Sequence, residues 1–227
     1  MMNLLLGGVC MLIPIVGFIV VLGWLITGFW GRQDEASETF PDFDFSQFGK
    51  YLERGLWPFL VPFVASACIS LLLVPFVMIP MVLIGGLSSG GEANAGSCLG
   101  AIVMIVLMLV WLVAIFGMMV LLVPLKIRAT LTQDFAKSFD VGFVKRFLAL
   151  TWKETVLSSL FVVVTGMILP LLGIVVFCVG MYFAMVLNYF SWTHLNKQLY
   201  ILYLSRGGEP VPLSPKLNDL SPAMTGL

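Results

Sequence analysis

KIRATLTQDFAKSFDVGFVKRFLALTWKET, residues Lys126–Thr155, is the polar island that divides this chain. It carries six of the twelve Lys and Arg residues and separates two long apolar blocks. Outward from it, four stretches contain no Asp, Glu, Lys or Arg: Met1–Gly31, Gly55–Gly91, Ala93–Leu125 and Thr155–Asn196. Each exceeds the roughly 20 residues that carry a helix across about 30 Å of hydrocarbon. Of the 227 residues, 60% are hydrophobic and 11% charged, and the mean hydropathy is +1.05. A soluble domain carries about 25% charge. The apolar excess cannot all be hidden in one core, so part of it faces lipid. The expected fold is an all-α, multi-pass transmembrane helical bundle.

The first block, Leu4–Trp30, holds Pro14 and Gly17 near its centre, which predicts a kink or a local break. Trp24 and Trp30 lie towards its end, where indole rings favour the lipid–water boundary. The block is long for the apolar part of a signal peptide and has no basic residues before it, so it reads as a retained segment. The polar loop Gly31–Arg54 follows. Its acidic half (Asp34, Glu35, Glu38, Asp42, Asp44) fits no calcium-loop spacing and reads as a solvated face. Ser46–Leu56 reads as a short amphipathic helix capped by Asp44 or Ser46.

Trp57–Gly86 is the second block, with Pro58, Pro62, Pro75 and Pro80, and with Ser66 and Ser70 as a small-residue pair suited to close helix approach. After the Gly/Ser loop Leu87–Ser97 comes the third, Cys98–Leu125. Thr155–Asn196 would be about 63 Å long as one helix, twice the membrane core. A turn at Pro170–Gly173 divides it. One domain, 1–204, then holds five spans at about 4–30, 57–86, 98–125, 150–169 and 171–192. The Pro-rich tail 205–227 is expected to be disordered.

Charge sets the orientation. The basic residues fall in three segments: three in Gly31–Arg54, six in the island and three after Leu195. Basic residues are retained on the cytoplasmic side. Five crossings of a cytoplasmic (inner) membrane satisfy this, with the N-terminus outside and the C-terminus inside, and a re-entrant hairpin at Pro170 keeps the same parity. Within the island a helix starts near Asp140. Lys145, Arg146 and Lys153 share one side of it, while Phe143, Val144, Phe147, Leu148 and Leu150 take the other. Such a helix rests in the interface, its basic residues on lipid headgroups.

No catalytic constellation emerges. Cys10, Cys68, Cys98 and Cys178 are scattered one to a block, and His194, the single histidine, has no partner at ligand spacing. Phosphate-loop patterns are absent. The reading is therefore no enzyme, no cofactor and no metal, and zero net charge argues against nucleic acid. Packing features remain: Gly173, Gly180, Ala184 and Asn188 lie near one helix face, fit for close contact. Met11–Gly23 (MLIPIVGFIVVLG) echoes Met167–Gly180 (MILPLLGIVVFCVG), and paired broken helices occur in transporters. Apolar alphabets also repeat by chance. The expected partners are the bilayer and a membrane-protein partner or second copy. A non-enzymatic scaffold or assembly component leads, and a small-solute or lipid transporter is the alternative.

LLLGGVCMLIPIVGFIVVLGWL (4–25), TFPDFDF leading into GKYLERGL, TLTQDFAKSFD and LPLLGIVVFCVGMYFAMVLNYFSWTHL together resemble a prokaryotic membrane family known as domain of unknown function 4013. The resemblance extends to about Leu204 and implies an integral membrane protein. It carries no activity and no functional residues.

Overall fold

Pro14 is where the first apolar block gives way. A proline donates no backbone N–H, and its ring collides with the carbonyl four residues earlier. In the computed structural model, Leu4–Trp30 is not the single crossing expected but two helices, α1 (Met2–Met11) and α2 (Val16–Trp30). Ile15 at the joint takes φ 65°, a region that β-branched residues rarely enter. The helices fold back on each other so closely that a Cβ on Gly17 would collide with the Cys10 carbonyl oxygen. Asn3 accepts the Phe43 N–H at 3.1 Å and donates to Asp42 at 2.9 Å. The start of α1 and the chain beyond α2 therefore sit at the same end of the hairpin. With 10 and 15 residues, the two helices rise about 15 and 22 Å, each short of the hydrocarbon thickness.

The structure describes residues 2–31, 40–88, 95–175 and 180–217. Asp34, Glu35, Glu38, Cys178, most of the Leu87–Ser97 loop and the last ten residues lie outside these. All regular structure among the described residues is helical.

Asp44 opens the second block. Its Oδ1 accepts from the Ser46 N–H at 2.8 Å and caps a 3-10 turn, Phe45–Gln47, that runs directly into α3 (Phe48–Ser88). The separate amphipathic helix expected over Ser46–Leu56 is instead the start of this long helix. The reason lies at Pro58, whose missing N–H leaves the Arg54 carbonyl without its helical donor. Gln133 Nε2 supplies the bond from a distant part of the chain, at 3.1 Å.

The third block is α4 (Ala95–Thr132), which continues through Pro124 into the island. Two aspartates punctuate the rest of the island. Asp134 caps the single turn α5 (Phe135–Ser138) by accepting from the Lys137 N–H at 3.1 Å. Asp140 does the same for the Phe143 N–H at 3.1 Å, at the start of α6 (Val141–Val175). α6 bends at Thr151, whose φ is −131° and whose hydroxyl bonds back to the Phe147 carbonyl at 2.7 Å, a contact that often bends helices.

The helix then runs on through Pro170, so the turn expected at Pro170–Gly173 is not there, and the spans 150–169 and 171–192 do not divide at that point. Proline is tolerated in apolar helices where neighbours cover the freed carbonyl. α6 ends at Val175 and α7 (Gly180–Ser205) returns along it; residues 176–179 lie outside the described residues. Gly173 meets Gly180 at one end of this pair, and Arg206 meets Leu150 and Glu154 at the other. Gly8 lies beside Phe183, and Trp30 beside Tyr200. The hairpins α1–α2 and α6–α7 therefore point the same way.

These elements form two compact units, Met1–Pro62 with Val123–Leu227, and Phe63–Leu122. The core of the larger unit joins Leu22, Leu25 and Phe29 of α2, Tyr51 of α3, Ile127 of α4, Phe143 and Phe147 of α6, and Tyr200 and Tyr203 of α7. In the smaller unit the apolar side chains point outward, with Leu71 78% and Val113 73% exposed. Phe45–Pro80, Gly100–Thr132 and Phe135–Ile174 are long and apolar enough to cross a membrane, which marks the chain as a membrane protein.

The tail corrects another expectation. Residues 206–217 are packed, not disordered. Val211 and Leu217 are buried, the Tyr203 and Tyr200 hydroxyls accept the Glu209 and Val211 N–H groups at 3.1 and 2.9 Å, and the Ser214 N–H bonds the Leu131 carbonyl at 2.9 Å.

Candidate functional site

The three basic segments meet at one end of the larger unit. Lys216 Nζ pairs with Glu53 at 2.9 Å, joining the tail to α3. Gln133 bonds the Arg54 carbonyl, joining α3 to the island. Arg206 pairs with Glu154 at 2.5 Å, joining the end of α7 to α6, and this carboxylate raises the Arg206 pKa. Asp44, at the same end, is held below the ordinary carboxylate range by its bonds to the Ser46 hydroxyl and N–H.

A buried polar layer lies beneath this end. Arg54 is 5% exposed, and its guanidinium donates to Thr27 Oγ1 at 2.9 Å. Thr27 in turn donates to the Gly23 carbonyl at 2.9 Å. Lys126, 4% exposed, places its ammonium 3.5 Å from the Trp192 ring centre and 5.7 Å from that of Tyr189. The negative face of an indole attracts a cation, and desolvation raises that attraction to about 2 kcal/mol. Gln133 spends both amide protons on the Arg54 and Thr130 carbonyls, while its Oε1, like Asn196 Oδ1, is buried without a hydrogen-bond partner among the described residues.

A pocket of about 260 Å³ opens above this layer, lined by Lys50, Glu53 and Arg54 of α3 and by Pro215 and Lys216 of the tail. The residues at 50, 53 and 54 share a helix face because they are three and four positions apart. The tail forms the opposite wall.

Of the residues expected to meet lipid headgroups, Lys145, Arg146 and Lys153 are all exposed. Arg146 pairs with Glu209 of the tail, and Lys153 lies 5.8 Å from the Trp152 ring centre. The apolar side beneath them does not rest wholly on the membrane: Phe143 and Phe147 are buried in the protein, at 5.5 and 5.2 Å from the Tyr203 ring. Inward packing has claimed the ridge.

Gly173, Gly180, Ala184 and Asn188 do not share one helix face as expected: Gly173 belongs to α6, and the other three to the side of α7 packed against it. A Cβ on Gly173 would come within 2.6 Å of the Gly180 carbonyl carbon, and Ala184 is buried. Thr165 donates to Asn188 Oδ1 at 3.1 Å, and a Cβ on Gly166 would lie 3.0 Å from the Asn188 amide. No group of three or more potential metal ligands occurs among the described residues. The His194 ring lies tilted against Phe29, with ring centres 5.3 Å apart.

Sequence reasoning missed the Lys126 cage and the Arg54 pocket. One local signal pointed to the first: Tyr189 and Trp192, one helical turn apart, form an aromatic wall. Nothing local tied residue 216 to residue 53.

An all-helical membrane architecture with its polar groups gathered at one end is the class that fold and site define. The chain belongs to the family described as protein of unknown function (DUF4013), whose model matches residues 6–191. No curated protein and no solved structure matches it.

Proposed function

We propose that the chain is a multi-pass protein of a prokaryotic cytoplasmic membrane, acting as a non-enzymatic scaffold or assembly component with its C-terminus on the cytoplasmic side. The observation that carries this reading is the surface of the smaller unit. Ile102, Ile105, Val106, Met108, Leu109, Val110, Leu112 and Val113 are all exposed. At 100° per residue they cover about 200° of the circumference of α4, and the half-buried Val103, Met104, Leu107, Trp111, Ala114 and Ile115 take the other side. On α3 the exposed Leu71, Leu72, Phe76, Ile79 and Val82 lie within about 140° of one another and form one broad apolar face. An exposed apolar face this broad offers contact area to lipid and to other membrane helices alike.

The orientation rests on the three basic segments tied together by Lys216–Glu53, Gln133–Arg54 and Arg206–Glu154. For a transporter, the alternative, Thr165, Asn188 and Ser66 are the residues to line a polar path. Thr165 and Asn188 bond each other in a packed helix contact, and Ser66 donates to the Phe63 carbonyl of its own helix at 2.9 Å. This favours the scaffold.

The test places a photo-crosslinking residue at Ile105 or Val113 of the full chain in native membranes. A discrete protein adduct, to a second copy or to another membrane protein, is the expected result. Lipid adducts alone at both positions would sink the reading, and solute uptake by purified protein in vesicles would favour the transporter.

A further inference from the structure

We infer that residues 209–217 are a docking segment exchanged between two copies of this chain: the groove that holds them on one copy takes the same segment from a second. The inference rests on the assembly reading and names its partner. Its failure would leave the crosslinking result at Ile105 and Val113 untouched, so the two can be told apart.

The groove is a row of acceptors. The Tyr203 hydroxyl takes the Glu209 N–H at 3.1 Å, the Tyr200 hydroxyl the Val211 N–H at 2.9 Å, and the Leu131 carbonyl the Ser214 N–H at 2.9 Å. Leu131 lies in the last turn of α4, where carbonyls have no donor in their own helix. The segment runs back along α7. Three helical residues rise about 4.5 Å and two residues of a polyproline II segment about 6 Å, so the two hydroxyls and the two N–H groups nearly keep step. Pro210, Pro212 and Pro215, which have no N–H to give, are all exposed. Val211, Ser214 and Leu217, every third residue, are buried. Backbone donors and side-chain pattern together match this groove to this segment. The partner whose chemistry fits is therefore another copy of the chain.

The link to α7 is short and pliant. It consists of Gly207 and Gly208; Gly207 holds φ 83°, and a Cβ there would meet nothing within 4 Å among the described residues. Glycine takes either sign of φ, so this turn opens at little cost. The ion pairs towards the two ends of the segment, Glu209 with Arg146 and Lys216 with Glu53, are exposed and hold it weakly. Exchange repeats between two copies every contact made within one, a low-cost route to a dimer. Residues 208–217 reach at most about 36 Å, so the two grooves must adjoin.

The experiment uses the full chain in native membranes, with its four cysteines replaced. Lys50→Cys and Pro215→Cys lie on facing walls of the pocket and leave the Lys216–Glu53 pair intact. They are placed in two differently tagged copies, expressed together and treated with a short bifunctional thiol reagent. A dimer carrying both tags is the expected product. Its yield should be several times that from Lys50→Cys with Lys137→Cys, an exposed position outside the tail. The peptide GEPVPLSPKL (208–217), added in excess, should suppress the dimer, and the same peptide with Val211→Asp and Leu217→Asp should not. Absence of the mixed dimer would overturn the exchange, most plainly where a Lys50→Cys/Pro215→Cys double variant closes within one chain. So would a dimer that the native peptide leaves intact, because another contact would then hold it. An adduct of Lys50→Cys with a different protein in place of the dimer would give the groove to a foreign segment and sink the exchange as well.

Discussion

Single atoms decide how closely these helices approach. A Cβ on Gly23 would collide with the Tyr51 carbonyl oxygen, and one on Gly55 with that of Ile19, so α2 and α3 cross backbone to backbone. Gly49, also on α3, has open space around it. Gly23→Ala should therefore destabilise the protein by about 1–3 kcal/mol through forced backbone shifts. Gly49→Ala should stabilise it by up to ~1 kcal/mol through helix propensity. Melting temperatures in detergent check both signs; an unchanged midpoint for Gly23→Ala would show that the helices slide apart at little cost. Lys126 offers a second residue-level contrast. Its ammonium is covered by aromatic faces, with no carboxylate ion-paired to it among the described residues. Replacing a buried cation with an apolar side chain of similar length is often neutral or stabilising, whereas stripping its partner is costly. Lys126→Met should leave the melting temperature unchanged or raised, and Trp192→Ala should lower it by several degrees. Equal losses in the two variants would mean that the ammonium does something that the aromatic cage does not explain.

Among the elements, the tail tests how much of the fold is held by contacts remote in sequence. Tyr200→Phe and Tyr203→Phe each remove a hydroxyl that accepts a tail N–H. Each should cost about 1 kcal/mol. The pair together should release residues 207–217 to limited proteolysis while α7 stays resistant; a protected tail in the double variant would place its anchorage elsewhere, at Leu217 or Lys216. The same contacts explain what the sequence could and could not disclose. The long apolar blocks, a cap at Asp44 or Ser46, a helix start near Asp140 and a disruption at Pro14 were legible because each depends on a few neighbouring residues. Pro58 looked like a boundary, yet Gln133, 79 residues from Arg54, supplies the bond that lets α3 pass through it. Pro170 looked like a turn because proline breaks helices in water, but α6 continues there with α7 alongside. The alternation of Phe143 and Phe147 with Lys145 and Arg146 correctly marks an apolar side. It does not say whether lipid or Tyr203 covers that side. Proline content suggested a loose tail, and two tyrosine hydroxyls overrule it.

At the scale of the whole molecule, the question is which segments cross. α1 rises about 15 Å and α2 about 22 Å, and the Asn3 bonds to Asp42 and Phe43 bring both ends of the hairpin together. A hairpin of this length dips into a bilayer core of about 30 Å without crossing it. The N-terminus would then share a side with the loop before α3, contrary to the outside N-terminus that five full crossings require. Single cysteines in a background with the four native ones replaced can decide this. Ser46→Cys, Lys137→Cys and Lys216→Cys lie in the three tied basic segments and should react with a membrane-impermeant thiol reagent from one side only. Met2→Cys, beside the Asn3 amide that holds the loop, should react from that same side. Ile13→Cys, at the hairpin tip, should resist the reagent from both sides while reacting with a membrane-permeant one. Labelling of Ile13→Cys from the face opposite to Lys137→Cys would show that the hairpin reaches through the bilayer, either by local thinning or because α2 stands more upright than its length requires. Labelling of Lys137→Cys and Lys216→Cys from opposite faces would break the link between the island and the tail. The orientation argued from the basic residues would then fall with it.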